Sequence, residues 1–86
     1  MENKFIVARI DPFLLEQEIR VYENRECIRE VSCNIKEFCT KVYQLCEEYD
    51  IKDVNFKGGK FIAMKFQKDF LNNKFGKRDI SINILD

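Results

Sequence analysis

The chain has 86 residues, of which 45% are hydrophobic, and its 15 basic and 15 acidic side chains leave no net charge. This length predicts one domain over residues 1–86, and neutrality argues against a surface dedicated to nucleic acid. No apolar run approaches the roughly 20 residues of a membrane span and the start lacks a signal-peptide pattern, so we expect a cytoplasmic protein.

Short apolar or alternating runs bounded by turn residues predict three strands, at 5–10, 18–23 and 26–32. Asn24-Arg25 separates the last two, which predicts a β-hairpin. In the third strand, period-2 alternation places Cys27 and Val31 on one face and Ile28 and Glu30 on the other.

Phe13, Leu14 and Leu15 form an apolar patch after the first strand. Either the patch folds over the edge of the sheet or it is an exposed contact surface; we favour the first interpretation.

A helix is predicted from Asn34 to Asp50. Asn34 and Glu37 have the spacing of a capping box, with an N-cap side chain followed three residues later by an acid. One apolar stripe follows at helical spacing, made of Ile35, Phe38, Cys39, Val42, Leu45, Cys46 and Tyr49.

The central stretch 51–75 predicts a strand, a sharp corner and a second helix. Val54 and Phe56 alternate with polar residues, and Gly58-Gly59 then breaks the pattern. The second helix is expected over 60–75, with Gly76 ending it, and the last strand over 78–85.

The predicted order is β-β-β-α-β-α-β, an α+β class. Three meandering strands followed by two crossovers is the order of a ribonuclease-H-like or actin-like mixed sheet. Right-handed crossovers that step in the same direction place both helices on one face of the sheet, which leaves the other face without helical cover.

The segment YDIKDVNFKGGKFIAMKFQKDFLNNKFGKRDISINIL, residues 49–85, resembles small uncharacterised accessory proteins of phages and mobile elements of Firmicutes. Those proteins have an Ile-x-x-Ile-x-Leu-Lys-Gly strand end, an amphipathic helix, a polar turn and a final Ile-x-Ile strand. Gly59 stands where they have Pro or another residue, and Phe61 where they have Tyr. The resemblance implies a phage or prophage accessory protein, located in the host cytoplasm, and it brings no chemistry.

A ribonuclease-H-like order invites a search for metal-binding carboxylates. Asp11 follows the first strand, and Glu37 or Glu47 could supply a helix acid, but Lys57 occupies the strand end where another acid is needed. We therefore expect Asp11 to be a turn residue before Pro12. No catalytic group, metal site or cofactor is predicted.

The corner Lys57-Gly58-Gly59-Lys60 precedes a helix and is a candidate anion-binding site, because N–H groups at a helix N-terminus bind anions. It lacks the P-loop and dinucleotide-binding patterns. An ordinary turn is the alternative interpretation.

Charge is distributed unevenly along the chain. Residues 57–78 hold seven cations and one acid, a net charge of +6, whereas residues 11–50 hold ten acids and five cations, a net charge of −5. Nucleic-acid or nucleotide binding by the segment from Lys57 to Arg78 is one interpretation, and a solvated lysine face is the other. Attraction between two copies is a third.

The second helix carries two apolar stripes on nearly opposite sides. The inner stripe holds Ile62, Ala63, Phe66 and Phe70; the outer stripe holds Phe61, Met64, Leu71 and Phe75. One sheet can bury only one of them, so the outer stripe is the predicted protein-interaction surface, most simply in a homodimer.

The four cysteines at positions 27, 33, 39 and 46 lack the C-x-x-C spacing of zinc and redox motifs, and the chain has no His. They are predicted to be buried thiols in a reducing compartment. The sequence therefore predicts a non-enzymatic protein-binding protein. The resemblance of residues 49–85 implies that it is an accessory protein and that it acts on a host factor, such as a component of a defence system.

Overall fold

The computed structural model describes residues 3–11, 13–71 and 80–85. Its elements in chain order are β1 Lys4–Arg9, β2 Gln17–Glu23, β3 Glu26–Cys33, α1 Phe38–Tyr49, β4 Asp53–Lys57, α2 Lys60–Leu71 and β5 Ser81–Leu85. The predicted α+β class, with a five-strand mixed sheet and two helices, is confirmed.

The strands lie in the order β3-β2-β1-β4-β5. β2 runs antiparallel to both of its neighbours, whereas β1 pairs in parallel with β4 and β4 in parallel with β5. The carboxyl ends of β1, β3, β4 and β5 therefore lie at the same end of the sheet, and the segments that follow these strands begin close to one another.

Both helices cover the same face of the sheet. Ile6 lies opposite Val21 and Val54 in the two neighbouring strands, and all three side chains are fully buried. On the same face, the Phe56 ring in β4 lies 6.3 Å from the Phe38 ring of α1 and 5.4 Å from the Phe66 ring of α2. One aromatic side chain thus contacts both helices.

The β2–β3 hairpin turns at Asn24 and Arg25, whose φ angles of 52° and 71° suit a type I′ turn. Its register shifts between Val21, which faces Arg29, and Tyr22, which faces Cys27. Ile28 is the extra residue of this bulge. The β3 side chains that precede Ile28 therefore lie on the opposite faces from those that an unbroken alternation would give. The prediction that Cys27 and Val31 share a face is therefore wrong.

The bulge at Ile28 also affects the exposure of the cysteines. Cys33 and Cys46 are buried, Cys39 is half-buried and Cys27 is exposed beyond the bulge. The prediction of four buried thiols is wrong for Cys27. Burial raises the pKa of the Cys33 thiol, which lowers its thiolate fraction at neutral pH.

The first helix begins at Phe38, four residues later than predicted. Asn34 Oδ1 does accept a hydrogen bond from the Glu37 N–H at 3.0 Å, but residues 35–37 form a turn and Ile35 is exposed. The hydrogen bond from the Glu37 N–H to the Asn34 side chain, which the capping box predicts, is present, but it closes a turn before the helix. The prediction that Asn34 is the N-cap is wrong, because Glu37 holds that position. The helix ends at Asp50, which has a left-handed φ of 54°.

The Gly58-Gly59 corner is where the end of β4 meets the end of β1. Gly58 has a φ of 80°, and a Cβ there would lie 2.7 Å from the Ile10 carbonyl oxygen. The Ile10 N–H donates to the Lys57 carbonyl at 3.0 Å. Glycine is needed because the chain combines a left-handed conformation with a close backbone approach.

The second helix starts at Lys60 as predicted. Ala63 and Phe66 of its inner stripe are fully buried and Ile62 is partly buried, whereas Phe61 and Met64 of its outer stripe are exposed. The predicted Gly76 cap and the predicted helix residues 72–75 lie outside the described residues. In the part of the chain that the structure describes, no helix has the length and apolar character needed to cross a membrane.

Candidate functional site

Large apolar side chains are exposed mainly at the carboxyl end of the sheet. Phe13, Leu14 and Leu15 follow β1, Ile35 follows β3, Phe61 opens the helix after β4, and Ile84 and Leu85 end β5. Because these strands run in one direction, the residues at their carboxyl ends and in the segments that follow lie at one end of the sheet. We call Phe13, Leu14, Leu15, Ile35 and Phe61 the carboxyl-end surface; Ile84 and Leu85 belong to the edge strand β5 and are not included in it. Exposed Met64 lies one turn further along α2.

The β1–β2 loop provides the most exposed part of the carboxyl-end surface. Phe13 and Leu15 are each 94% exposed and Leu14 is 59% exposed. The favoured interpretation, in which this patch folds over the sheet edge, is therefore wrong, and the alternative of an exposed contact describes the loop.

Gln17 explains why the loop turns its side chains outward. Its buried amide accepts a hydrogen bond from the Asp11 N–H at 2.6 Å and donates to the carbonyls of Asp11 and Leu14 at 3.1 and 3.0 Å. The Asp11 carboxylate accepts from the Phe13 N–H at 2.9 Å. The polar backbone is satisfied from the inside, which leaves the apolar side chains pointing to solvent.

Asp11 is thus a turn residue, as its place before Pro12 suggests. The role of Gln17 was not recognised in the sequence, although a signal exists. Gln17 continues the alternation of Ile19 and Val21, and a polar residue in phase with buried neighbours needs internal partners.

A cleft of about 660 Å³ opens beneath the loop. Leu14 and Leu15 form its apolar side, and the other lining residues are Arg9, Asp11, Glu16, Gln17, Glu18 and Ser32. Arg9, Glu18 and Ser32 are register partners on the sheet face that the helices do not cover. The cleft therefore joins the apolar loop to a polar row on the open face.

The open face itself is largely polar. The rings of Phe5 and Tyr22 stack at 5.1 Å, and Arg20 lies between Glu18 and Glu30. A hydrogen bond with Tyr22, and then the charge of Glu18, raise the pKa of the Arg20 guanidinium. Glu18 and Glu30 balance the charge of Arg20, and the two stacked rings cover each other, so this face has less need of a partner.

The acids considered for a metal site do not form a group. Among the described residues, no cluster of three or more His, Cys, Asp and Glu side chains could hold an ion. Glu37 and Glu47 are exposed on or before α1, and Lys57 lies directly opposite Arg9 at the strand ends. Two cations therefore stand side by side where a two-metal site would need acids.

The candidate anion site at Lys57-Gly58-Gly59-Lys60 is engaged in packing. The Gly58 N–H points to the Leu85 carbonyl at 3.5 Å, and Gly59 is buried against Ile10. Lys57 and Lys60 are exposed. Anion binding here stays a prediction.

The predicted protein-interaction stripe of α2 is placed only in part. Phe61 is 84% exposed and Met64 is 50% exposed, whereas the side chain of Leu71 and all of Phe75 lie outside what the structure describes. Phe61 also belongs to the carboxyl-end surface, so the loop after β1 and the start of α2 contribute to one end of the molecule.

Comparison of the chain with protein-family models, with curated proteins and with solved structures finds no match.

We expect the Gln17→Met substitution to loosen the β1–β2 loop and to lower the free energy of unfolding by about 1–3 kcal/mol, because partly buried backbone groups of Asp11 and Leu14 lose their hydrogen-bond partner. Urea unfolding measures the stability, and limited proteolysis at residues 13–16 reports the loop. The matched control is Gln44→Met on the exposed side of α1, expected to change stability by less than about 0.5 kcal/mol. Equal effects of the two substitutions would contradict the role given to Gln17.

Proposed function

We propose that this protein is a non-enzymatic protein-binding accessory protein whose working surface is the carboxyl-end surface. The observation that carries the proposal is the exposure of Phe13 and Leu15, at 94% each, on a loop fixed by the buried Gln17 amide. Contiguous exposed apolar side chains usually mark an interface. A fixed loop also loses little conformational freedom on binding, so more of the contact energy is retained.

A protein is the preferred partner because the surface is apolar and aromatic with a polar rim. Phe13, Leu15 and Phe61 supply large side chains, while Glu16 and Arg9 lie beside the cleft. This combination matches the apolar centre and charged margin of protein interfaces.

A ribonuclease-H-like or actin-like architecture is part of the proposal. The order β3-β2-β1-β4-β5, with β2 antiparallel to its neighbours, supports this assignment, as does the placement of both helices over one face. The proposal assigns no nuclease chemistry to that architecture. The support is the cationic pair of Arg9 and Lys57 at the ends of β1 and β4.

The biological setting follows from the resemblance of residues 49–85 to accessory proteins of Firmicute phages and mobile elements. We place the protein in the host cytoplasm, where it would bind a host protein such as a component of a defence system. A binding protein of this kind needs an exposed surface and no catalytic group.

Site-specific photo-crosslinking in Firmicute cells tests the proposal. A benzophenone amino acid at position 13 or 61 replaces an exposed Phe at the carboxyl end, and the same group at Glu47 probes the far part of α1. We expect both carboxyl-end positions to capture the same cellular protein and Glu47 to capture none, because α1 runs away from that end. Leu15→Ser should reduce capture from position 61 by about five-fold or more without changing the circular dichroism spectrum.

Capture of equal strength from all three positions would count against a defined surface. So would full capture from position 61 after Leu15→Ser. An adduct formed only with nucleic acid would replace the proposed function by the second candidate.

That second candidate is binding of nucleic acid by the basic segment. The observation in its favour is that Lys57, Lys60, Lys65 and Lys68 are all exposed. Phosphate contacts release counterions, so such binding must weaken steeply with salt.

Fluorescence anisotropy with a labelled single-stranded oligonucleotide separates the two candidates. We expect the dissociation constant of any complex to be about 10 μM or weaker at physiological salt. Non-specific binding spans dissociation constants of roughly 10⁻⁴ to 10⁻⁶ M, so this limit lies within that range. We also expect Lys65→Glu to leave the signal unchanged. A sub-micromolar affinity that falls steeply with salt, and that Lys65→Glu abolishes, would establish nucleic-acid binding instead.

A further inference from the structure

The outer edge of β5 presents unpaired backbone groups. The Ser81 N–H donates to the Lys52 carbonyl at 2.7 Å, and the Leu85 carbonyl faces the Gly58 N–H, so Ser81 and Leu85 point their backbone groups towards β4. Because these groups alternate along a strand, those of Ile82 and Ile84 point away from the sheet. Within the described residues, no strand pairs with this edge.

The two edges of the sheet differ in their protection. The outer strand β3 carries Glu26, Arg29 and Glu30 and a bulge at Ile28, which are the features that prevent a strand edge from pairing with another chain. β5 has the sequence SINIL, without a charge, a proline or a bulge. Its edge is therefore suited to pairing, and its neutral sequence creates no repulsion when two copies meet.

We propose that β5 pairs antiparallel with β5 of a second copy, centred on Asn83, and that the protein forms a two-fold dimer in this way. The strand is complementary to itself in this register. Ile82 and the partner's Ile84 exchange backbone hydrogen bonds, as do Ile84 and the partner's Ile82, which gives about four bonds. Isoleucines then lie side by side on the helix-covered face, and the two copies of Asn83 meet on the open face.

This dimer differs from the one predicted through the outer stripe of α2, and it leaves the carboxyl-end surface free. The two-fold axis is perpendicular to the sheet, so the two five-strand sheets join with their helices on the same side. Antiparallel pairing points the two carboxyl ends in opposite directions. The dimer would therefore offer two copies of the proposed protein-binding surface, one at each end.

Disulfide crosslinking at the two-fold axis tests the pairing directly. In a Cys27→Ser background, which removes the exposed native thiol, Asn83→Cys places two thiols on Cα atoms about 4.5 Å apart, within the range that a disulfide bridges. Ser81→Cys is the matched control on the same strand face, where the two Cα atoms would be more than about 13 Å apart. We expect mild oxidation to crosslink Asn83→Cys at least about ten-fold faster than Ser81→Cys.

The mass in solution gives the second test. At a protein concentration of about 50 μM, light scattering should report a mass of twice the 10.3 kDa of the chain. This concentration lies above the micromolar dissociation constant that we expect for a small interface. Ile84→Pro removes an outward N–H that β4 does not use, so it should give a folded monomer. Ile84→Thr keeps the N–H and should stay dimeric. A monomeric wild type, or equal crosslinking at positions 81 and 83, would overturn the proposal.

Neither result depends on the proposed function. Photo-crosslinking from position 13 requires only the carboxyl-end surface, and it should persist in Ile84→Pro. Failure of the β5 dimer and failure of partner capture are therefore separate outcomes.

Discussion

The Phe56 ring, held between Phe38 of α1 and Phe66 of α2, is the contact on which the rest of the arrangement depends. It joins both helices to the central parallel pair of strands, where Ala8 lies opposite it in β1. Because one side chain contacts both helices, they share one face of the sheet and form a single core. Truncating a buried Phe of this kind generally costs about 3–5 kcal/mol, a large part of the stability of a small protein.

A core built on one face has consequences for what remains outside it. The open face is stabilised by the stacked Phe5 and Tyr22 rings and by the charges around Arg20, and none of the elements that the structure describes forms a further layer over it. The loop after β1 cannot join the core because the buried Gln17 amide fixes its backbone with the side chains of Phe13 and Leu15 outside. Exposed apolar surface therefore collects at the carboxyl end of the sheet, where binding sites of open sheets with parallel strands commonly lie.

Periodicity is sufficient to predict the number and kind of elements. Val54 and Phe56 recur at the two-residue spacing of a strand, and the apolar stripe of α1 recurs at the three- and four-residue spacing of a helix. Two predictions are wrong because one local interaction decides the geometry at each place. A bulge at Ile28 moved Cys27 to the surface, and an Asn34 turn delayed the first helix. The carboxyl-end surface could not be predicted without strand directions, since its members are far apart in the chain and only the sheet brings them together.

The β1–β2 loop holds the side chains of Phe13, Leu14 and Leu15 in solvent. Methyl NMR of leucine-labelled protein with a soluble neutral paramagnetic agent measures this directly, because the agent broadens exposed methyl signals. We expect strong broadening of the Leu15 and Leu14 methyls and protection of the buried Leu45 methyls. Leu15 methyls as protected as those of Leu45 would show that the loop folds onto the protein, and would remove the exposed surface on which the proposed function rests.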